Sequence, residues 1–177
     1  SQLSEFKERI TKYSELPGDV LASIRALPAD THPMGVLSCG LQALGGAYPS
    51  LASNNRQMDL DNFEDSSSLI ISAIRSISAA RYRLTQGMEE STKPLSGDYC
   101  DDFLSMMFST EDSAEMPAAV SKALDLIFLL HADHEQNCST STCRMIASGG
   151  ANPFASVSGA SSALWGPLHG GANMAVI

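Results

Sequence analysis

The chain has 177 residues, and its 11 basic and 20 acidic side chains give a formal net charge of −9. This acidic balance argues against binding to nucleic acids or to anionic membrane surfaces, because both partners require clustered Lys and Arg side chains. Apolar residues make up 44% of the chain and charged residues only 18%, which excludes disorder along the whole length and indicates that much of the chain is buried.

In the first half of the chain, apolar residues recur at the spacing of α-helices. An amphipathic helix is predicted over residues 18–27, and Pro33 is expected in the first turn of a second helix that ends near Gly45. Residues 50–65 are polar and are predicted to form a loop. The three serines at 66–68 offer an N-cap for the next helix, which also carries three arginines.

The second half continues the helical periodicity after a polar connection over residues 85–98. Helices are predicted around residues 103–108, 117–131 and 139–147, and from 153 to about 165. Asn152 followed by Pro153 is typical of a helix start. The helix after Pro153 consists mainly of small uncharged residues, which predicts close packing on several sides. Because no convincing strand pattern occurs, the expected fold class is all-α.

Two histidines lie close together after the helix at 117–131. His131 and His134 are three residues apart, so on a helix they would share one face. Their imidazoles could satisfy the carbonyl groups of a last helical turn. Alternatively, they could bind a metal ion together with Glu135, although neither His-Glu-x-x-His nor Glu-x-x-His is present.

A third histidine, His169, lies in a Gly- and Pro-rich segment from Trp165 to Asn173. If a helix begins at Gly171 or Ala172, its positive end favours a neutral imidazole over the imidazolium. A neutral imidazole can donate one N–H group to an oxygen that gains negative charge during a reaction. The alternative is a turn between helices in which the histidine is merely packed.

In combination, these motifs resemble the citrate synthase family. The segments that carry the resemblance are His32-Pro33-Met34, Phe103 to Phe108, His131 to Thr140, Ser148 to Phe154, and Leu164 to Asn173. The resemblance implies an all-α subunit with a large helical domain and a smaller domain that closes over the active site. Residues 1–177 would then be the central part of the large domain, without the small domain and the C-terminal part of the subunit.

The resemblance also implies an activity. Members of this family condense acetyl-CoA with oxaloacetate and water to give citrate and CoA, at the entry to the tricarboxylic acid cycle. The reaction needs no cofactor and no metal, and the subunits form homodimers or higher homo-oligomers. A cytoplasmic location is expected, with the mitochondrial matrix or the peroxisome as alternatives.

Four residues receive roles from the resemblance. His169 is expected to be catalytic, as a neutral donor to the oxygen of the forming enol or enolate, and His134 is expected to bind oxaloacetate. Ser139 is expected to accept from the other ring nitrogen of His169 and so fix its tautomer, while Asn137 supports the same turn. The catalytic carboxylate, a second catalytic histidine and the oxaloacetate-binding arginines are expected outside residues 1–177, so this chain alone is expected to be inactive.

Three other functions stay open. A 2-methylcitrate synthase would use propionyl-CoA, and one methyl group is discriminated by only about 1–3 kcal/mol in a binding pocket. A truncated, non-catalytic paralogue would act through subunit association. A metal-binding helical module would use His131 and His134.

Overall fold

The structure, a computed structural model, describes residues 1–53, 55–89, 95–110, 116–132 and 136–175. These ranges contain ten helices and no strand, which confirms the predicted all-α class. In chain order the helices are α1 Gln2–Lys12, α2 Gly18–Arg25, α3 Pro33–Ala47, α4 Arg56–Asp61, α5 Phe63–Thr85, α6 Tyr99–Phe108, α7 Ala118–Ala132, α8 Cys138–Ser148, α9 Pro153–Leu164 and α10 Gly170–Met174.

The hydrophobic core lies where α2, α3, α5 and the first turn of α9 meet. Helices α2, α3 and α5 each contribute apolar side chains spaced three or four residues apart, as expected of one buried face, and α9 contributes Phe154. The core residues are Leu16, Val20, Ile24, Val36, Leu37, Leu41, Leu44, Leu69, Ile70, Ala73, Ile77 and Phe154. This core fixes α9 against α3 and thereby fixes the position of the chain that follows α9.

Two helix starts agree with the prediction from the sequence. His32 is the N-cap of α3, and its Nδ1 accepts from the main-chain N–H of Met34 at 3.2 Å. Asn152 is the N-cap of α9, and its side chain accepts from the N–H of Ala155 at 3.0 Å. In both helices a proline follows the cap, at a position where a missing N–H costs nothing.

The predicted loop at 50–65 is wrong over its second half. Arg56–Asp61 forms α4, capped by Asn55, and α5 already begins at Phe63. The serines at 66–68 therefore lie inside α5 and are not its N-cap. Their hydroxyl groups donate to main-chain carbonyls three or four residues earlier, as from Ser68 to Glu64 at 2.6 Å, which is how a helix accommodates serine.

Arg75 of α5 is buried and ties three segments together. Its Nη1 lies 3.3 Å from Oδ2 of Asp102, and both side chains are almost completely buried. Its Nη2 donates to the hydroxyl of Ser14 at 2.7 Å, and its guanidinium lies 5.0 Å from the ring centre of Tyr99. A buried charge is tolerated only with such partners, so Arg75 joins α6 and the end of α1 to α5.

The other two arginines of α5 bind main-chain carbonyls of connecting segments. Arg81 Nη2 donates to the carbonyl oxygens of Pro28 and Ala29, at 2.5 and 2.9 Å. Arg83 Nη1 donates to the carbonyl oxygen of Ser109 at 2.8 Å. The connection before α3 and the segment after α6 are therefore both attached to the same helix.

Helix α7 carries a run of exposed apolar side chains. Leu129 and Leu130 are 66% and 65% exposed, and Leu126, Ile127 and Phe128 are also exposed. Large apolar side chains that cluster on a surface are typical of a contact with another protein surface, so α7 presents a candidate contact surface. None of the helices in the described ranges is both long and apolar enough to cross a bilayer.

Candidate active site

The site is built on the close pairing of α8 with α9. A Cβ at Gly159 of α9 would overlap with Cδ1 of Ile146 on α8, so the glycine allows the Ile146 side chain to lie across α9. Ser156, Ser158 and Ser161 of α9 are all buried. Helix α9 packs against α8, α3 and α5, which confirms the predicted packing on several sides.

A compact turn follows α9 and carries His169. The main-chain carbonyl of Gly166 accepts from the N–H of His169 at 2.9 Å and from the N–H of Gly171 at 3.1 Å. Helix α10 begins at Gly170, one residue before the earliest start expected from the sequence. His169 therefore lies directly before a helix, held by its own main chain, and its side chain is half-buried.

The turn brings His169 against the start of α8. Nε2 of His169 lies 2.7 Å from the hydroxyl oxygen of Ser139 and accepts from the main-chain N–H of the same serine at 3.3 Å. Because an N–H group can only donate, we assign the lone pair of a neutral imidazole to Nε2 and its ring proton to Nδ1. The expectation that Ser139 accepts from a ring nitrogen of His169 stays a prediction, since the direction of the hydroxyl bond depends on the tautomer of the imidazole.

The N–H of Ser139 is free for this bond because of its place in α8. Asn137 is the N-cap of α8, and its side chain accepts from the N–H of Thr140 at 2.8 Å. The first N–H groups of a helix have no partner within the helix, and Ser139 is the second residue of α8. Asn137 thus orients the first turn so that the unpaired N–H of Ser139 faces His169.

The other pair of histidines is only partly described. His131 is exposed in the last turn of α7, and its Nδ1 lies 2.8 Å from the carbonyl oxygen of Ile127, as expected of a histidine at a helix end. His134 and Glu135 lie outside the described residues, so the metal-binding alternative and the expected contact with oxaloacetate stay predictions. Within the described ranges, no group of three or more His, Cys, Asp or Glu side chains could hold a metal ion.

The thiol of Cys143, on α8, adds no nucleophile to this site. All four cysteines are free. Burial raises the pKa of Cys143 on α8 above its ordinary value, so this thiol stays protonated at neutral pH. The thiolate is the nucleophilic form of cysteine, so the protonated thiol of Cys143 is a poor nucleophile.

One neighbour of the site was not expected from the sequence. The ring of His32 stacks on the indole of Trp165, with 4.7 Å between the ring centres and 12° between the planes. His32 also caps α3, directly before the proline that the sequence predicts in the first turn of this helix. No local pattern could reveal the stack, because the two residues belong to distant segments.

Comparisons with known proteins cover the whole chain. The family model described as citrate synthase, C-terminal domain, matches residues 1–177. Citrate synthase 1 of Mycobacterium tuberculosis is 38% identical over 177 residues, covering 99% of this chain and 40% of the relative. The glyoxysomal citrate synthase of Cucurbita maxima is 37% identical over 182 aligned positions, covering all of this chain and 35% of the relative.

A solved structure gives the same result. The citrate synthase of the thermophilic archaeon Thermoplasma acidophilum, in a ternary complex with carboxymethyl coenzyme A and oxaloacetate, superposes with a TM-score of 0.83 at 26% identity. The match covers 98% of this chain and 43% of the archaeal chain. The chain thus spans less than half of each of these proteins.

Proposed function

Because the chain belongs to the citrate synthase family, whose model matches residues 1–177, we propose that the full-length protein condenses acetyl-CoA with oxaloacetate and water to give citrate and CoA. The two curated relatives are both named citrate synthases. The archaeal neighbour binds a carboxymethyl analogue of coenzyme A together with oxaloacetate, which supports these two substrates here.

The contact between Ser139 and His169 carries the proposal. The methyl group of a thioester is a very weak carbon acid, so its deprotonation requires a donor to the oxygen that gains charge. With Nε2 occupied by the Ser139 N–H, the Nδ1–H of His169 is the donor available to that oxygen. We assign His169 this catalytic role, with Ser139 and Asn137 as the residues that orient it.

The remaining steps use groups beyond this chain. A carboxylate removes a proton from the acetyl methyl group, and the resulting enol or enolate carbon attacks the keto carbon of oxaloacetate, whose oxygen is protonated. Water then cleaves the thioester, releasing citrate and CoA. We propose that residues 1–177 belong to the large helical domain, and that the carboxylate and the oxaloacetate-binding arginines come from the rest of the subunit. In this proposal His134 contacts oxaloacetate.

The test is CoA thiol release by the full-length protein with oxaloacetate and either acetyl-CoA or propionyl-CoA. We expect acetyl-CoA to be preferred, and His169→Ala to lower kcat by roughly 10²–10³-fold, as for the loss of one donor to a developing oxyanion. Circular dichroism of the variant should retain the wild-type helical signal. A preference for propionyl-CoA would assign 2-methylcitrate synthesis instead, and no release with either thioester would favour the non-catalytic paralogue.

We also propose that the full-length protein is a homodimer or a higher homo-oligomer, with α7 in the contact between subunits. The support is the exposed apolar surface of α7, where Leu129 and Leu130 are the most open. Light scattering should then give a multiple of the subunit mass for the wild type and a smaller mass for Leu129→Glu. For the location we propose the cytoplasm or a peroxisome-type organelle, since the two relatives are bacterial and glyoxysomal.

A further inference from the structure

The stack between His32 and Trp165 joins two segments that the proposed mechanism does not otherwise connect. His32 is the N-cap of α3, and Trp165 is the C-cap of α9. Their rings are nearly parallel, with planes 12° apart and centres separated by 4.7 Å. The indole is 49% exposed, so the imidazole covers part of a large aromatic surface that otherwise faces solvent.

The ring of His32 has little freedom to turn. Its Nδ1 accepts from the N–H of Met34 at 3.2 Å, which fixes the imidazole on the first turn of α3. One turn further along α3, Gly35 leaves room for the indole, since a Cβ there would lie only 3.2 Å from Cζ3 of Trp165. The capping bond of His32, its stack on the indole and the absence of a side chain at Gly35 therefore together fix the position of Trp165.

The position of Trp165 is transmitted to His169 through the main chain. Gly166, the next residue, supplies the carbonyl that accepts from the N–H groups of both His169 and Gly171. A rotation of the main chain at Trp165 would turn that carbonyl and move both N–H groups with it. The distance from Nε2 of His169 to the hydroxyl of Ser139 is only 2.7 Å, so a small displacement of the turn would break this contact.

We propose that His32 is a positioning residue for His169. Its ring holds Trp165 against α3 and thereby keeps the turn that follows α9 in the position at which Nε2 of His169 contacts Ser139. His32 does not touch the reacting atoms in this proposal. The expected effect on kcat rests on the proposed function. The expected effect on the contact between His169 and Ser139 does not.

Two matched variants separate the stack from the cap. His32→Asn keeps an N-cap acceptor, since asparagine is among the best capping residues, and removes the ring. His32→Phe keeps a flat ring for the indole and removes the acceptor. If positioning through the stack is correct, the asparagine variant loses kcat by roughly tenfold or more, since small displacements of catalytic groups are costly. Its KM values and unfolding midpoint stay near those of the wild type.

The phenylalanine variant should behave in the opposite way. It is expected to be less stable by the loss of the cap, yet to keep kcat within about twofold of the wild type. A purely structural role for His32 predicts instead that kcat follows stability in both variants. Wild-type kcat in His32→Asn, or a large loss of kcat in His32→Phe, would overturn the proposal.

A second measurement does not depend on turnover. In the ¹⁵N-labelled full-length protein, the two ring nitrogens of His169, assigned with His169→Gln, should show a protonated Nδ1 and an unprotonated Nε2. We expect His32→Asn to give a mixture of tautomers and His32→Phe to retain the wild-type pattern. If the wild-type protein releases no CoA, the proposed function fails, but the ring signals of His169 still test the positioning role of His32. An unchanged tautomer pattern in His32→Asn would exclude that role.

Discussion

The main-chain N–H of Ser139 and Nε2 of His169 are 3.3 Å apart, and this pair determines which ring nitrogen of the histidine carries the proton. A hydroxyl can donate or accept and so cannot select a tautomer alone. An amide N–H has no such choice. The start of α8 therefore supplies a fixed donor, and in the proposed mechanism the opposite edge of the imidazole keeps its own proton for a substrate oxygen.

Replacing Ser139 with alanine removes the hydroxyl and keeps the amide donor. We expect kcat to fall by about tenfold, which corresponds to roughly 1.4 kcal/mol, the scale of one hydrogen bond. This is a smaller loss than for His169→Ala, because the tautomer is retained. Steady-state CoA release measures the effect, with Thr140→Ala, on the exposed neighbouring residue, as the control expected to keep wild-type kcat. A loss as large as that of His169→Ala would contradict this account.

Replacing the cap residue Asn137 with alanine leaves the N–H of Thr140 without its acceptor. We expect the free energy of unfolding to fall by about 1 kcal/mol, the usual cost of a lost N-cap. Asn137→Asp keeps an acceptor at the same place and should stay close to the wild type. Urea unfolding followed by circular dichroism compares the two variants, and equal stability of the alanine and aspartate proteins would show that the cap contributes nothing.

The buried pair of Arg75 and Asp102 gives a prediction about stability. Asp102→Ala leaves the guanidinium buried without its counter-charge, so we expect a loss of about 3–5 kcal/mol. Asp101→Ala, on the exposed side of the same helix, should cost less than about 0.5 kcal/mol. Replacing both charges, as in Arg75→Met with Asp102→Ala, should be less harmful than the single change. Chemical denaturation measures the free energy of unfolding of all three variants. A double variant less stable than Asp102→Ala would refute the interpretation.

The thiol of Cys100 is expected to react slowly in the folded protein. Burial raises its pKa above the ordinary value of 9.0, and the negative charges of Asp125, Asp98 and Asp101 raise it further. Because the thiolate is the reactive form, the rise in iodoacetamide labelling with pH should lie at higher pH for the folded than for the urea-unfolded protein. Mass spectrometry of the Cys100 peptide measures both profiles, and coincident profiles would exclude a raised pKa.

The same shift has a consequence for stability at alkaline pH. Above the ordinary pKa, the unfolded chain loses the Cys100 proton while the folded chain still holds it. The unfolded state then binds fewer protons, so stability falls as pH rises through this range. Tyr99, whose pKa is raised mainly by burial, acts in the same direction at higher pH.

Local features of the sequence were sufficient to predict several elements. Pro33 predicted the start of α3, and Asn152 followed by Pro153 predicted the start of α9, because a cap and its first turn involve only neighbouring residues. The prediction of a loop at 50–65 was wrong over its second half for a related reason. Polar composition predicts a loop there, although a short exposed helix such as α4 needs no apolar face of its own.

Other features depend on residues that are distant in the sequence. Burial of Arg75 follows from Asp102 and Ser14, which lie on separate segments. The likeness to a family brought Ser139 and His169 together in the prediction, but the direction of their bond required the geometry of the first turn of α8. The stack of His32 on Trp165 has no periodic pattern and could be found only in three dimensions.

The arginines near the end of α5 bind main-chain oxygens, and this has a consequence for how the protein can change. Every amino acid carries a carbonyl group, so substitutions at Pro28, Ala29 or Ser109 leave the acceptors of Arg81 and Arg83 in place. The guanidinium fork needs its fixed geometry, which lysine lacks. A change of side chain in these connections therefore leaves both attachments in place, whereas Arg81→Lys or Arg83→Lys would remove the fork that makes them.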